Sequence, residues 1–213
     1  GQTTLLLNPS CTPTPESWSP DGNHVLYACG TDVRAYRNIS AASAGTDVTI
    51  LPSGFLANTF TNVSSLGWSP DSQWIALLAD KDTSNRFDIY LTRWAALGMA
   101  TKPYTTSSSP GVSTWRFAPN SSSVAYVGAV GTSSTPELYL TTLPATGEPS
   151  AAVPLTSTAD PAVQDDIAWL PGSRVIVYRA NDAGGAQLHA VHVTPAGASS
   201  TPISVSGAGG TGV

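Results

Sequence analysis

Two groups of acidic residues are the side chains in this sequence whose types and spacing best suit chemistry. The first is Asp165 and Asp166, adjacent carboxylates just before an apolar run that ends at Trp169. Paired carboxylates can transfer protons or bind a cation. A solvated strand entry has the same appearance, so the pair is interpreted as a candidate binding site without an assigned catalytic role.

The second group begins with Asp80 and Asp82, in the segment DKDTSNRFD at 80–88. Its alternating oxygen-bearing side chains are similar to those of a calcium loop, which needs glycine at its sixth place and an acid at its twelfth. Asn85 and Leu91 occupy these two places. We therefore expect no metal site, and the two aspartates are kept only as candidate binding residues in a polar hairpin.

The sequence lacks the other arrangements that are typical of enzymes. Its three histidines are His24, His189 and His192, and the last two fall on opposite faces of a strand, so they cannot share a metal. No G-x-S-x-G segment marks a hydrolase nucleophile, and no glycine-rich segment leads from a strand into a helix. The sequence predicts no catalytic residue, no metal and no cofactor, and it favours a protein that is not an enzyme.

The composition argues against two classes of partner. Only nine Lys and Arg are spread over 213 residues and the net charge is -5, so no basic surface could neutralise nucleic-acid phosphates. No run of about eighteen apolar residues is present to span a bilayer. Charged residues make up 11% of the chain. Solubility must therefore depend on hydroxyl and backbone groups, which favours a secreted or periplasmic protein.

Cys11 and Cys29 are the only cysteines, and they lie on either side of the first of four recurring turns. Antiparallel strands around that turn would bring the two residues near each other but not directly opposite. The sequence leaves two alternatives open. One is a disulfide, and the other is a pair of small buried thiols.

One short turn recurs four times along the chain. WSPDG at 18–22 returns as WSPDS at 68–72, FAPNS at 117–121 and WLPGS at 169–173. The turn prolines are 50, 49 and 52 residues apart, and a large aromatic anchor stands two places before each. The anchors and prolines are Trp18, Trp68, Phe117 and Trp169, with Pro20, Pro70, Pro119 and Pro171. A period near 50 residues is typical of a repeat architecture.

Each turn is predicted to join two strands. Large apolar residues stand five and seven places after the proline, as Val25 and Tyr27 do, and this alternation is the period of a strand. A second hairpin follows, in which FDIY at 87–90 is echoed by PELY at 136–139. Four short strands in each unit describe one blade of a β-propeller, with a β-sandwich as the alternative.

We therefore predict an all-β fold, a β-propeller of about four four-stranded blades in a single domain spanning 1–213. The blades are expected at approximately 10–52, 60–104, 110–156 and 162–206. The aromatic anchor of each turn is expected to be buried and to hold its hairpin in the core.

The WSPDG turn, the apolar pair after it and the D-I-Y strand resemble the WD-like repeat of TolB-like propellers and of the propeller domains of prolyl oligopeptidase-like enzymes. The resemblance covers nearly the whole chain and is strongest in the first two repeats. It implies a rigid scaffold with loops around a central channel, which Asp165 and Asp166 would face. The first repeat departs from the pattern because it lacks D-I-Y, and the fourth because Gly172 replaces Asp.

An incomplete ring of blades would leave two apolar faces bare. Completion by residues outside this chain, completion by a homo-oligomer and closure by four blades alone are all open. The favoured function is a non-catalytic extracytoplasmic module for binding or assembly, with a protein, peptide or glycan as ligand. The alternatives are an extracellular carbohydrate-active enzyme with carboxylates in the channel, and a structural subunit of a surface assembly.

Overall fold

The structure is a computed structural model that describes residues 16–30, 32–40, 43, 45–51, 55, 62–105, 107–131, 134–183, 185–194 and 201–205. Every regular element in these ranges is a β-strand, so the prediction of an all-β chain is confirmed. This described part of the chain contains no helix that is long and apolar enough to cross a membrane.

The chain divides into two compact units, Gly1–Lys102 and Pro103–Val213, each with two antiparallel arrays of strands. The strands are β1 (Glu16–Trp18), β2 (Val25–Cys29), β3 (Asp32–Arg37), β4 (Thr46–Thr49), β5 (Val63–Trp68), β6 (Trp74–Thr83), β7 (Arg86–Arg93), β8 (Ser107–Phe117), β9 (Ser123–Val130), β10 (Glu137–Thr142), β11 (Val153–Pro154), β12 (Ala162–Trp169), β13 (Val175–Asp182), β14 (Gly185–His192) and β15 (Ile203–Ser204). In the first unit, sheet 1 has the order β1-β2-β3-β4, and the strands β5-β6-β7, here called sheet 2, pair in that order. In the second unit, the strands β8-β9-β10-β11, here called sheet 3, pair in that order, and sheet 4 has the order β12-β13-β14-β15.

The recurring turn joins the first two strands of each sheet. In all four turns the residue two places after the proline has a positive φ, and its N–H bonds to the carbonyl three residues earlier at 2.9 to 3.0 Å. The first of these residues is Gly22, and the others are Ser72, Ser121 and Ser173, with φ of 59°, 61° and 55°. Glycine adopts this left-handed conformation freely, whereas for another residue it costs about 1–2 kcal/mol of conformational free energy. The serines therefore need a contact that compensates for this cost.

That contact is visible in two of the turns. The Ser72 Oγ accepts the Asp21 N–H at 3.3 Å, and the Ser173 Oγ accepts the Asn120 N–H at 3.1 Å. Each bond joins a turn to the turn of the preceding sheet in the same unit. The serine hydroxyl therefore connects neighbouring sheets, which a glycine at that place could not do.

The aromatic anchors also connect neighbouring sheets within each unit. Trp68 Nε1 donates to the Ser17 carbonyl at 3.2 Å, and Trp169 Nε1 donates to the Arg116 carbonyl at 3.1 Å. Trp68 is 7% exposed and belongs to the core between sheets 1 and 2. Phe117 is partly buried, and so is Trp169, which packs on the core between sheets 3 and 4.

Trp18 departs from the expectation that every anchor is buried. It is 55% exposed, although Val25 and Tyr27 on the same sheet are buried. The physical reason is the place of sheet 1 among the described sheets. Trp68 and Trp169 are covered by the sheet that precedes theirs, whereas none of the described strands precedes sheet 1.

The structure describes one of the two cysteines that could form a disulfide. Cys29 ends β2, is partly buried and pairs with Asp32 across the hairpin. Cys11 lies outside the described residues. The Cys11–Cys29 bridge therefore stays a prediction.

His24 is enclosed between sheets 1 and 2. Its ring centre lies 6.0 Å from that of Trp68 and 4.7 Å from that of Trp94, and its Nδ1 accepts the Asn38 N–H at 3.2 Å. Burial of the ring is the strongest influence on the pKa of His24 and lowers it. The carboxylate of Asp21 acts in the opposite direction, but the pKa stays below its ordinary value.

Stability should therefore fall as the pH is lowered through the histidine range. Because folding favours the neutral ring of His24, the unfolded chain binds more protons once the pH is below about 6.5. The stabilisation is complete above that pH and is lost progressively below it. Urea midpoints at several pH values from 7.5 to 5.5 measure the loss. His24→Asn keeps an acceptor for the Asn38 N–H and should show a shallower slope, so equal slopes would contradict the assignment.

Candidate functional site

The acidic pair proposed from the sequence lies in an irregular stretch of sheet 4. β12 pairs with β13, but the register shifts between Val163 and Ile167. Asp165 and Asp166 stand within this bulge, and both are exposed. Bulges interrupt the regular alternation of side chains and are frequent beside active sites.

A bulge recurs near the same place in two other sheets, but the acids do not. The register shifts around Ser64 in β5 and around Ser113 in β8. The fourth repeat thus has two carboxylates where the second and third each have two hydroxyl side chains. Because the bulge forms with serine as well, Asp165 and Asp166 are not needed to build it.

Beside the bulge, sheet 4 carries a shallow depression of about 320 Å³, here called the sheet 4 depression. The Asp166 Oδ2 lies 2.6 Å from the Arg179 Nη2 at its border. Both side chains are well exposed, so the ion pair contributes at most about 1 kcal/mol to stability. The depression is lined by Arg116 from β8 of sheet 3 and, from sheet 4, by Asp165, Asp166, Ile167, Ala168, Val177, Tyr178 and Leu188.

Part of the depression is apolar. Ala168 of β12 pairs with Val177 of β13, and Leu188 of β14 pairs with Arg179 in the next row. These residues occupy the face opposite to the one packed on sheet 3, because successive residues of a strand alternate. Carboxylates, a guanidinium and uncovered apolar surface therefore meet in one place, which is typical of a recognition surface.

The second acidic group has a different environment, in the hairpin between β6 and β7. Asp80 is fully buried, and its two oxygens accept the N–H groups of Asn62 at 2.6 Å and Asn85 at 3.2 Å. The structure places this candidate binding residue in the interior of the hairpin, where backbone donors enclose its carboxylate. Its role is to satisfy these donors and shape the hairpin.

Asp82 is at the surface of the same hairpin. It is bonded to Lys81 at 3.2 Å and also to Lys102. Burial raises the pKa of Asp82, but the hydrogen bonds from the two lysines outweigh this and lower it to about 2. Lys102 also reaches the buried Asp88 at 3.3 Å. Asp82 is therefore part of a network of charges that compensate one another.

A second cleft, of about 350 Å³, lies between the proline turns of sheets 3 and 4. The Asn120 Oδ1 accepts bonds from the N–H and the hydroxyl of Ser122, at 3.1 and 2.8 Å. Ser173 is bonded to the Asn120 N–H, while Arg174 lines the cleft as an exposed cation. Sequence reasoning missed this cleft because it forms only when two turns that are distant in the chain lie side by side.

The described residues do not assemble a metal site. Across the ranges that the structure covers, no three His, Cys, Asp or Glu side chains gather in a way that could hold an ion. His189 is buried against the ring of Tyr178, with centres 5.5 Å apart, whereas His192 is exposed. The two histidines of β14 are therefore separated by the sheet.

Comparison with solved structures shows a similar fold in several proteins. A structure from Agrobacterium tumefaciens assigned as TolB is 19% identical over 93% of this chain, with a TM-score of 0.58. One from Bacteroides fragilis assigned as a 6-phosphogluconolactonase is 10% identical over 92%, with a TM-score of 0.53. Prolyl oligopeptidase B from Galerina marginata is 11% identical over 88%, with a TM-score of 0.56.

The chain spans 63%, 54% and 26% of the length of these three proteins, respectively. No protein-family model matches the sequence, and no curated protein matches it either. At identities this low, the likeness concerns the fold alone. The fold of this chain is all-β and similar to that of TolB, a β-propeller family.

Proposed function

We propose that this chain is a non-catalytic module for binding or assembly, built as one propeller domain with four blades. Sheets 1 to 4 are its blades, each with one proline turn between its first two strands. The likeness to TolB and to a prolyl oligopeptidase supports the architecture, and the fourfold turn supports the count. The low content of charged residues supports a secreted or periplasmic location.

One observation carries the binding function, namely the uncovered face of sheet 4. In sheet 3 the equivalent face contains Leu138 and Leu155, which are almost completely buried in the core against sheet 4. Leu188 and Val205 occupy the same places in sheet 4, joined by the same backbone bond, and are 47% and 55% exposed. Apolar rows of this kind, rimmed by polar residues, mark interaction sites.

The polar residues at the border favour recognition of a ligand that carries hydrogen-bond donors. Asp165 has no hydrogen bond or ion pair with another described residue, so its oxygens are available to a ligand. Asp166 is held by Arg179 and can accept a further bond. Peptides and glycans both offer N–H or O–H groups beside apolar surface, which makes them the ligand classes of this proposal.

Peptide and glycan arrays probed with the purified chain test the function. A double variant, Asp165→Asn with Asp166→Asn, should weaken binding about tenfold or more, because a hydrogen bond to a charged group contributes about 1.5–3 kcal/mol. Glu148→Gln is the matched control, since it removes an exposed acid outside sheet 4. Binding that is unchanged in the double variant would contradict the site. Release of sugar by the wild type, absent from the double variant, would instead support the carbohydrate-active alternative.

A further inference from the structure

Each unit of the chain contains an interface in which a tryptophan docks on the preceding sheet. Trp68 donates its Nε1 hydrogen to the Ser17 carbonyl, and Trp169 donates to the Arg116 carbonyl, at 3.2 and 3.1 Å. In both cases the acceptor stands just before the aromatic anchor of the preceding sheet. The chain therefore uses one kind of contact twice, in two separate units.

Sheet 1 presents the donor for a third contact of this kind. Trp18 occupies the same place in its repeat as Trp68 and Trp169, yet it is 55% exposed. Tryptophan is among the residues most enriched in the energetic centres of protein interfaces. An indole left in water at a position where its equivalents are docked is a candidate for such a centre.

Sheet 4 presents the matching acceptor. Ala168 stands just before the fourth anchor, so its carbonyl is equivalent to those of Ser17 and Arg116. The same Ala168 lines the sheet 4 depression, together with the apolar side chains of Val177 and Leu188. The acceptor and the apolar surface that an indole needs are therefore adjacent.

From this complementarity we propose that a second copy of the chain inserts Trp18 into the sheet 4 depression, with its Nε1 donating to the Ala168 carbonyl. The inference rests on the proposed binding function of sheet 4 and names its partner. The contact joins two different surfaces, so it is heterologous. Repetition of such a contact gives a closed ring or an open chain of copies.

Two features set the expected strength of the contact. Leu170 and Leu188 are about half exposed and offer apolar area, while the pair of Asp166 and Arg179 at the border carries no net charge. The turn after Trp18 has Gly22 where the docked sheets have serine, so it offers no hydroxyl to accept a backbone N–H from the other copy. We therefore expect reversible association, weaker than the internal interfaces of the chain.

Sedimentation of the full chain over about a hundredfold range of concentration tests the proposal. The wild type should associate, and Trp18→Ala and Leu188→Asp should each weaken association roughly 30-fold or more, as truncation of a central interface residue does. Met99→Ala is the control, because Met99 is 67% exposed and belongs to neither surface. Circular dichroism establishes that each variant is folded. If Trp18→Ala fails to fold, Trp18→Phe, which keeps a ring and removes the donor, should weaken association in the same direction.

Mixing the two variants separates this arrangement from others. Trp18→Ala keeps the depression and Leu188→Asp keeps the indole, so together they should form a 1:1 dimer that neither forms alone. A wild-type chain that stays a folded monomer would overturn the proposal. Association that Leu188→Asp abolishes and Trp18→Ala leaves intact would overturn it too, since sheet 4 would then meet a different surface.

The failure of this proposal is distinguishable from failure of the proposed function. If the chain is a monomer but still binds an array ligand through Asp165 and Asp166, the self-association proposal fails and the proposed binding function stands. A chain that associates through Trp18 and Leu188 but binds no array ligand would support assembly as the form of the function.

Discussion

Trp68→Ala is expected to lower the free energy of unfolding by about 3–5 kcal/mol. The ring is 7% exposed, lies edge-on to Trp94 with centres 4.9 Å apart, and donates to the Ser17 carbonyl. Truncation removes the contact between sheets 1 and 2 and leaves a cavity among strands that can close it only in part. Denaturant unfolding followed by circular dichroism measures the change.

Trp18→Ala is the matched control for this prediction, since the two residues hold the same place in successive repeats. Because Trp18 is more than half exposed, its truncation should cost about 1 kcal/mol or less. Equal losses in the two variants would show that position in the repeat, rather than burial, determines the contribution. If the Trp68→Ala protein had normal stability, the assignment of the Trp68 ring to the core would be wrong.

Asp88→Ala is expected to destabilise the protein by about 3–5 kcal/mol, the usual result of removing one partner from a buried ion pair. Asp88 is fully buried in β7, with Lys102 at 3.3 Å and Arg86 at 3.6 Å. Its loss leaves two cations in a partly desolvated place without this carboxylate. The free energy of unfolding at neutral pH measures the effect.

Asp82→Ala provides the comparison, because Asp82 also bonds to Lys102 but lies at the surface. Water screens the exposed pair, so its loss should cost about 1 kcal/mol or less. If Asp82→Ala proved as damaging as Asp88→Ala, the whole network would act as one unit and burial would not be the deciding factor.

The strands around the proline turns could be predicted because their signals are local. The alternation of Val25 and Tyr27 and the turn chemistry at Pro20 involve residues that are close in sequence. The serines at the left-handed position could not be explained in this way. Ser72 and Ser173 accept bonds from turns about 50 residues earlier, which is a partner that no local pattern reveals.

The candidate site shows the same division. Asp165 and Asp166 were identifiable as a carboxylate pair, but their position in a bulge beside uncovered apolar surface depends on the pairing of β12 with β13. Asp80 looked equivalent in sequence, yet the chain folds backbone donors around it. Whether a carboxylate is enclosed or available to a ligand depends on the donors around it, and those donors come from other parts of the chain.

The amino-acid sequence by itself determined the all-β class, the fourfold repeat and the strand hairpins, because the period of apolar residues and the geometry of proline turns act over a few residues. Only the tertiary structure decided which anchors are buried, since burial depends on the sheet packed against each one. Trp68 and Trp18 have the same local sequence, W-S-P-D, and opposite environments. Whether a neighbouring sheet covers an anchor is decided by the assembled fold and not by the local sequence.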